Sequence, residues 1–212
     1  MMALVAIFIW ATAPQTAYAQ LSKKMEKTLS KEKEKEYKKV IKDYQKEGWK
    51  LSGSSRSLEV ALLEHYALLA EDPDNQELSG EVSQCKSIGV CKQFALTQAQ
   101  NRYASLASGN VRGRIEAMMR ADDNMPEIEM NKFIAGYENQ VKAEIAGVMT
   151  ESYSIVKDNK DSKEFKTFFI VNEVKAGAAR MRAMERSLRE TQLAVQEAEA
   201  ISKFVNEGFN LE

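Results

Sequence analysis

The feature that most constrains the fold is a pair of β-rich runs in the C-terminal half of the chain. The runs span residues 148–156 and 165–174, and a polar, charged turn separates them. In the second run Phe168 falls on one face and Phe169 on the other. β-branched and aromatic residues at period two around a polar turn are typical of a β-hairpin. Because both faces of the second run are apolar, we predict that its strand is central in a sheet.

The rest of the chain has mostly helical periodicity. Asn124 and Glu127 have the spacing of a capping box at one helix start. We also predict that Gly48 ends the leader helix, that Ser57 caps the helix after it, and that Gly109 ends the helix at 90–108. We predict helices at residues 58–70, 90–108, 126–147 and 176–206, and further strands at 78–87 and 110–119. The order is then helices first, followed by β-α-β-α-β-β-α. This order predicts an α+β fold, with a small mixed or antiparallel sheet of about four strands that carries helices on a face.

The N-terminal residues have the pattern of a secretory signal. An apolar run precedes Pro14, and residues 17–19 fit the small-x-small cleavage rule. We therefore predict a signal peptide at 1–19, a charged helical leader at 20–48, a linker and short helix at 49–77, and the α+β domain at 78–212. The mature chain is expected to be periplasmic or secreted, without a transmembrane anchor.

The leader alternates lysine and glutamate before a short apolar stripe of Tyr37, Val40, Ile41 and Tyr44. Mixed charges of this kind are typical of a solvated helix or a flexible leader. The whole chain carries 30 basic and 31 acidic residues, a net charge of −1. Because such a chain has no overall field to attract nucleic acid, we predict no nucleic-acid partner.

The residues that could carry chemistry are few. His65 is the single histidine and lies in a leucine-rich segment without a second ligand at metal-binding spacing. A structural histidine is therefore favoured, and we predict no catalytic, cofactor or metal residue and no enzymatic activity. Cys85 and Cys91 are six residues apart, which is neither a zinc nor a redox spacing. A disulfide and a pair of buried thiols both remain open for them.

Four arginines near the start of the last predicted helix are candidates for an anion-binding face. They are Arg180, Arg182, Arg186 and Arg189. Guanidinium groups could bind phosphate-bearing polymers through charge-assisted contacts. The other interpretation is a solvated face, in which Glu185 and Glu190 neutralise the arginines one helical turn away.

Several segments together resemble a known family. They are the helix ALTQAQNRYASLA at 95–107, the run NVRGRIE at 110–116, IAGVMTESY at 145–153, and FFIVNEV at 168–174. The pattern resembles a family of small Gram-negative envelope proteins that is typified by an outer-membrane-associated lipoprotein. The lipidated cysteine of that type is missing here. The resemblance implies an envelope location and an α/β domain, and it supplies no catalytic residues.

The predicted function follows from the signal sequence, the resemblance and the lack of a catalytic set. We predict a non-enzymatic cell-envelope protein that binds a partner protein or a surface polymer. The alternatives are an envelope glycan hydrolase that uses carboxylates, and a structural protein that associates with copies of itself.

Overall fold

The fold is known from a computed structural model, which describes residues 31–121, 126–193 and 195–208. Three sequence predictions lie outside these residues: the signal peptide at 1–19, the first part of the leader at 20–30, and the capping role of Asn124. Among the described residues, no helix combines the length and the apolar character that a membrane span requires.

The described residues form six helices and four strands. The helices are α1 (Lys31–Glu47), α2 (Leu58–Glu71), α3 (Ile88–Ala121), α4 (Glu127–Ile145), α5 (Glu173–Arg189) and α6 (Val195–Glu207). The strands are β1 (Lys50–Leu51), β2 (Asn75–Cys85), β3 (Thr150–Asp158) and β4 (Lys163–Asn172). They form a single sheet in the order β1-β3-β4-β2, with every pair antiparallel. The predicted α+β fold with a four-stranded sheet is therefore confirmed.

The predicted hairpin is present as β3 and β4, and β4 is central because it lies between β3 and β2. A four-residue turn joins the two strands, and the backbone N–H of Asn159 donates to the carbonyl of Ser162 across it. Phe168 and Phe169 are both buried, on opposite faces of the sheet. Both faces of this strand are apolar because helices cover both of them.

This double cover differs from the single helical face that the sequence analysis predicted. On one side α1 and α2 pack on Tyr153, Ile155 and Phe168. On the other side α3 lies on β2 and β4, α4 and α6 pack on α3, and α5 packs on α4 and α6. The core of that side includes Leu78 and Phe169. The sheet is thus the middle layer of three.

The strand predicted at residues 110–119 is wrong, because this segment is the continuation of α3. Val111 and Ile115 are buried four residues apart, on the helical face that also carries Ala104 and Ala107. Residues that alternate at period two also include pairs four apart, such as Val111 and Ile115, and in the structure these pairs lie on one face of a helix. Gly109, expected to end the helix, is accommodated inside it at a cost of about 1 kcal/mol.

The last predicted helix, 176–206, is also corrected. The structure has two helices, α5 and α6, with a break after Arg189. The backbone N–H of Thr191 turns back to the carbonyl of Leu188, and that of Gln192 donates to the Glu129 carboxylate. The break lets α6 fold back so that Ile201 and Val205 are buried in the core.

Two predicted helix ends are confirmed. Gly48 ends α1 with a φ of 83°, and the N–H of Trp49 bonds to the carbonyl of Tyr44. This closing motif needs a left-handed residue, which glycine supplies at little cost. Ser57 caps α2 by accepting from the N–H of Val60. These two ends fix where α1 and α2 lie on the sheet.

Candidate functional site

The outer surface of α1 carries a row of lysines that we call the lysine stripe. Since consecutive residues of a helix are about 100° apart, all its members fall within about 100° of arc. The opposite face of α1 buries Tyr37 and Ile41 on the sheet. The stripe consists of Lys31, Lys35, Lys38, Lys39, Lys42 and Lys46, all of them exposed. At 1.5 Å per residue it is about 22 Å long.

Most of the stripe has no neutralising partner in the part of the chain that the structure describes. Lys38 pairs with Glu34. The other five members form no ion pair with any described side chain. Like charges one turn apart destabilise a helix by about 0.2–0.5 kcal/mol per pair. The stripe is therefore an electrostatically unfavourable surface that an anionic ligand would relieve.

The lysines around Trp49, beyond the end of α1, behave differently. Lys157 and Lys166 lie over the Trp49 ring at 5.6 and 5.3 Å from its centroid. Each also has a carboxylate close by, Glu164 at 3.5 Å and Glu81 at 3.0 Å respectively. Their charges are therefore balanced within the protein, in contrast to the stripe.

A polar cleft of about 560 Å³ lies at the free edge of β2. Lys33 and Glu36 of α1, Tyr66 of α2, Glu77 of β2 and Arg102 of α3 contribute to its walls. Lys33 and Glu36 pair with each other at 3.4 Å. Arg102 is exposed and forms no ion pair with a described residue. The cleft thus presents groups of both charges beside an aromatic ring.

His65 lies under this cleft and joins α2 to two strands. Its side chain is fully buried, with Nε2 at 2.6 Å from Glu77 Oε2 and Nδ1 at 3.0 Å from Ser152 Oγ. Ser152 is the extra residue where the register shifts between Glu151 and Tyr153. In the neutral tautomer that fits, Nε2–H donates to the carboxylate and Nδ1 accepts from the hydroxyl. The sequence analysis found no partner for this histidine, and the structure gives it two.

The phenols near His65 are held in the neutral form. Burial raises the pKa of Tyr153 far above its usual value, and the nearby Tyr44 and Glu77 add to the rise. Burial and the charges of Glu36 and Glu77 likewise raise the pKa of Tyr66. At neutral pH these hydroxyls therefore keep their protons and act as hydrogen-bond donors.

The two cysteines form a disulfide that links the end of β2 to the first turn of α3. The S–S distance is 1.92 Å and the Cα atoms are 5.5 Å apart. The bridge is feasible because Cys85 ends a strand and only Cys91 belongs to the helix. Disulfides persist in oxidising compartments, so the bond is compatible with the predicted export, which stays a prediction.

The four arginines of the predicted anion-binding face do not form one surface. Arg180 is buried, where it pairs with Glu173 and donates to the Tyr103 hydroxyl. The remaining three are exposed on α5, and two of them are occupied by one carboxylate. Arg182 and Arg186 both pair with Glu144, and Arg189 lies farther along the helix.

The structure places no metal-binding set among the residues it describes: no three His, Cys, Asp or Glu side chains lie together there as ligands would. His65 has serine and carboxylate neighbours, the residue types of a hydrolase triad. Here, however, the carboxylate is 42% exposed and the histidine is sealed, whereas a triad exposes its serine and buries its acid. The arrangement fits a structural link between α2 and the strands β2 and β3 better than a catalytic site with a serine nucleophile.

The fold and the surface define a three-layer α+β protein whose outer helix presents a row of six lysines, five of which have no carboxylate partner among the described residues. The family described as CUX1-like, N-terminal tRNA-binding arm matches residues 12–85, well under half of the chain. Within the described residues the match covers α1, β1, α2 and β2. Neither the curated proteins nor the solved structures gave a match.

This finding corrects several predictions. The resemblance to Gram-negative envelope lipoproteins is wrong, because the family that matches is a different one. The predicted envelope function and envelope partner depended on that resemblance, and they are wrong on the same ground. The prediction of no nucleic-acid partner is contradicted as well, since the matching family is described as tRNA-binding. The error arose because the resemblance rested on alanine-spaced helices and β-rich runs, which unrelated proteins share.

Proposed function

We propose that the protein binds structured RNA of the tRNA type through the lysine stripe of α1. The observation that carries the proposal is the coincidence of two features. Within the described part of the matched segment, residues 31–85, the lysine row lies on α1, and five members of that row lack a carboxylate partner among the described residues. The net charge of −1 does not oppose this, because a cationic row acts locally, within a Debye length of about 10 Å.

The geometry of the stripe suits a phosphate backbone. Exposed lysines that follow one helix face can each contact a phosphate, and such contacts supply affinity with little sequence preference. A length of about 22 Å corresponds to several successive phosphates of a duplex strand. We therefore expect binding to structured RNA that depends strongly on salt.

The test is a titration of tRNA with the protein and with a charge-deleted variant. The variant Lys35→Gln, Lys39→Gln, Lys42→Gln and Lys46→Gln removes four stripe charges. With one phosphate contact for each of the five unpaired lysines, wild-type affinity should fall about 500-fold between about 50 and 200 mM salt. The variant should bind at least tenfold more weakly at low salt, with a salt slope that is shallower by about 3–4.

A matched control removes the same number of exposed lysines elsewhere. Lys132, Lys160, Lys175 and Lys203 are exposed and lie outside the matched segment. Their replacement by glutamine should leave tRNA affinity within about threefold of wild type, as expected if the stripe lysines make the phosphate contacts. Equal losses in both variants would mean that only total charge matters, and the assignment to α1 would fail.

We also propose that the protein acts by binding and not by catalysis. The support is the state of His65, which is sealed and engaged at both ring nitrogens. A general base must reach the proton that it removes from a substrate. Bound tRNA should therefore stay intact and unmodified on prolonged incubation, and conversion that is lost in His65→Leu would contradict this.

A further inference from the structure

The polar cleft at the free edge of β2 has features that the lysine stripe does not use. The residues of α1 that line it are Lys33 and Glu36, neither of which belongs to the stripe. Its volume of about 560 Å³ is within the range of small-molecule sites. The cleft is therefore a candidate binding site for a small ligand, separate from the stripe.

The carboxylate of Glu77 is the best-positioned group in the cleft. The buried His65 Nε2 holds one of its oxygens at 2.6 Å, which fixes the side chain. The carboxylate is still 42% exposed. Since an ionised carboxylate has about four acceptor positions on two oxygens, it can still accept two parallel hydrogen bonds. A group held in this way is preorganised for a ligand with two adjacent donors.

Among nucleobases, guanine alone offers two adjacent donors, N1–H and the N2 amine, on its Watson–Crick edge. Adenine, cytosine and uracil each set an acceptor nitrogen or oxygen beside their donor, and that atom would face the carboxylate. Tyr66 supplies a ring against which a base can stack. Burial, followed by the charges of Glu36 and Glu77, raises the pKa of Tyr66, so the phenol stays neutral and offers an uncharged ring to the base.

The cleft also contains a cation for a phosphate. Arg102 is exposed and forms no ion pair with a described residue. It also borders a second groove, which continues along the β2 edge past Ser79. A guanidinium group binds phosphate oxygens through paired N–H donors.

From these contacts we propose that the cleft binds a guanine nucleotide, with the base on Glu77 and Tyr66 and the phosphate on Arg102. The nucleotide is either free or an unpaired guanosine of an RNA strand. The inference does not depend on the lysine stripe, because none of the stripe residues lines the cleft.

The experiment measures the affinity of the full-length protein for GMP, IMP, AMP and guanosine by calorimetry. GMP should bind at least tenfold more tightly than AMP, and IMP, which lacks the N2 amine, should lie between them. Glu77→Gln replaces one acceptor by a donor and should lower the affinity for GMP to that for AMP. Arg102→Gln should lower the affinity for GMP about tenfold and leave the affinity for guanosine unchanged.

Three controls separate the outcomes. Circular dichroism and thermal melting show whether Glu77→Gln folds, and the exposed Arg102→Gln provides an independent test if it does not. RNA hairpins with an unpaired 3′ guanosine or adenosine distinguish a nucleotide of RNA from a free one. The four-lysine stripe variant should keep its affinity for GMP even if it loses tRNA.

The inference is overturned if neither the mononucleotides nor the hairpins show a preference for guanine. It is also overturned if the preference survives in a folded Glu77→Gln variant. Loss of tRNA binding in the stripe variant alone tests only the proposed function. The two failures are therefore distinguishable.

Discussion

The two helical layers that cover the sheet each bury one cluster of ionisable side chains, but they do so differently. Under α1 and α2, His65 is sealed while its acid, Glu77, reaches water. Among α3, α5 and α6, Arg180 and its acid Glu173 are both withdrawn from solvent, at 4% and 19% exposure. A pair whose carboxylate is partly exposed, such as His65–Glu77, leaves that carboxylate accessible to a ligand. A pair buried on both sides, such as Arg180–Glu173, is not accessible in this way. The proposed binding sites both involve the α1–α2 layer, whereas the ion pair of the opposite layer is buried and is expected to serve stability.

The largest expected effect comes from alkaline pH, because both layers bury tyrosines. Burial raises the pKa of Tyr103 to about 12, although Arg180 opposes the rise. It also raises the pKa of Tyr137 and Tyr153. Below pH about 10 both folded and unfolded states keep these protons. Above it the unfolded state ionises first, so each such tyrosine costs about 1.4 kcal/mol of stability per pH unit until its folded pKa is reached.

Denaturant melts at increasing pH should therefore show a steep loss of stability that begins near pH 10. Tyr137→Phe sharpens the test, because the Tyr137 hydroxyl is buried without a hydrogen-bond partner among the described residues. This variant should be at least as stable as wild type at neutral pH and lose stability less steeply above pH 10. A stability that stays constant up to pH 12 would mean that these phenols are hydrated.

A smaller but still large effect is expected for Glu173→Gln. It leaves the buried Arg180 without its counter-charge, which should lower the free energy of unfolding by about 3–5 kcal/mol in urea melts. Glu144→Gln is the matched control, since the Glu144 carboxylate is also largely buried, at 12% exposure, but its partners Arg182 and Arg186 are exposed to solvent. That change should cost about 1 kcal/mol or less. If the two variants lost similar free energy of unfolding, a buried arginine would depend on its carboxylate no more than exposed arginines do.

The smallest effect is expected for the functional layer. His65→Leu removes two hydrogen bonds but leaves Glu77 in contact with water, so the cost should be about 1–2 kcal/mol. Ser152→Ala removes one of the two bonds and should cost about half as much. If His65→Leu cost as much as Glu173→Gln, the His65 cluster would be a structural element of the same kind as the Arg180 cluster.

Local patterns were enough to predict part of the fold. Period two around a polar turn identified the β3–β4 hairpin, and Ser57 and Gly48 marked two helix ends correctly. These signals succeed because they depend on neighbouring residues alone. Residues 110–119 were mispredicted because Val111, Gly113 and Ile115 alternate while Val111 and Ile115 also share a helix face. The packing of α3 against α4 resolves this ambiguity, and no local rule could have done so.

The candidate site was predicted less well than the fold. The lysine stripe can be recognised from the sequence once α1 is placed on a helical wheel. The sequence analysis instead considered the net charge, in which the lysines and glutamates of α1 largely cancel. The partners of His65 could not be found in this way. Glu77 is twelve residues away and Ser152 is eighty-seven away, and neither lies at a recognisable motif spacing.

The sequence by itself determined the hairpin, the helix ends and the charge pattern of α1, because each follows from backbone preference and helical geometry over a few residues. The tertiary structure alone decided that helices cover both faces of the sheet and that Cys85 meets Cys91. It also brought His65, Glu77 and Arg102 together around one cleft. These arrangements depend on which distant surfaces bury each other, and burial is a property of the packed chain and not of any one segment.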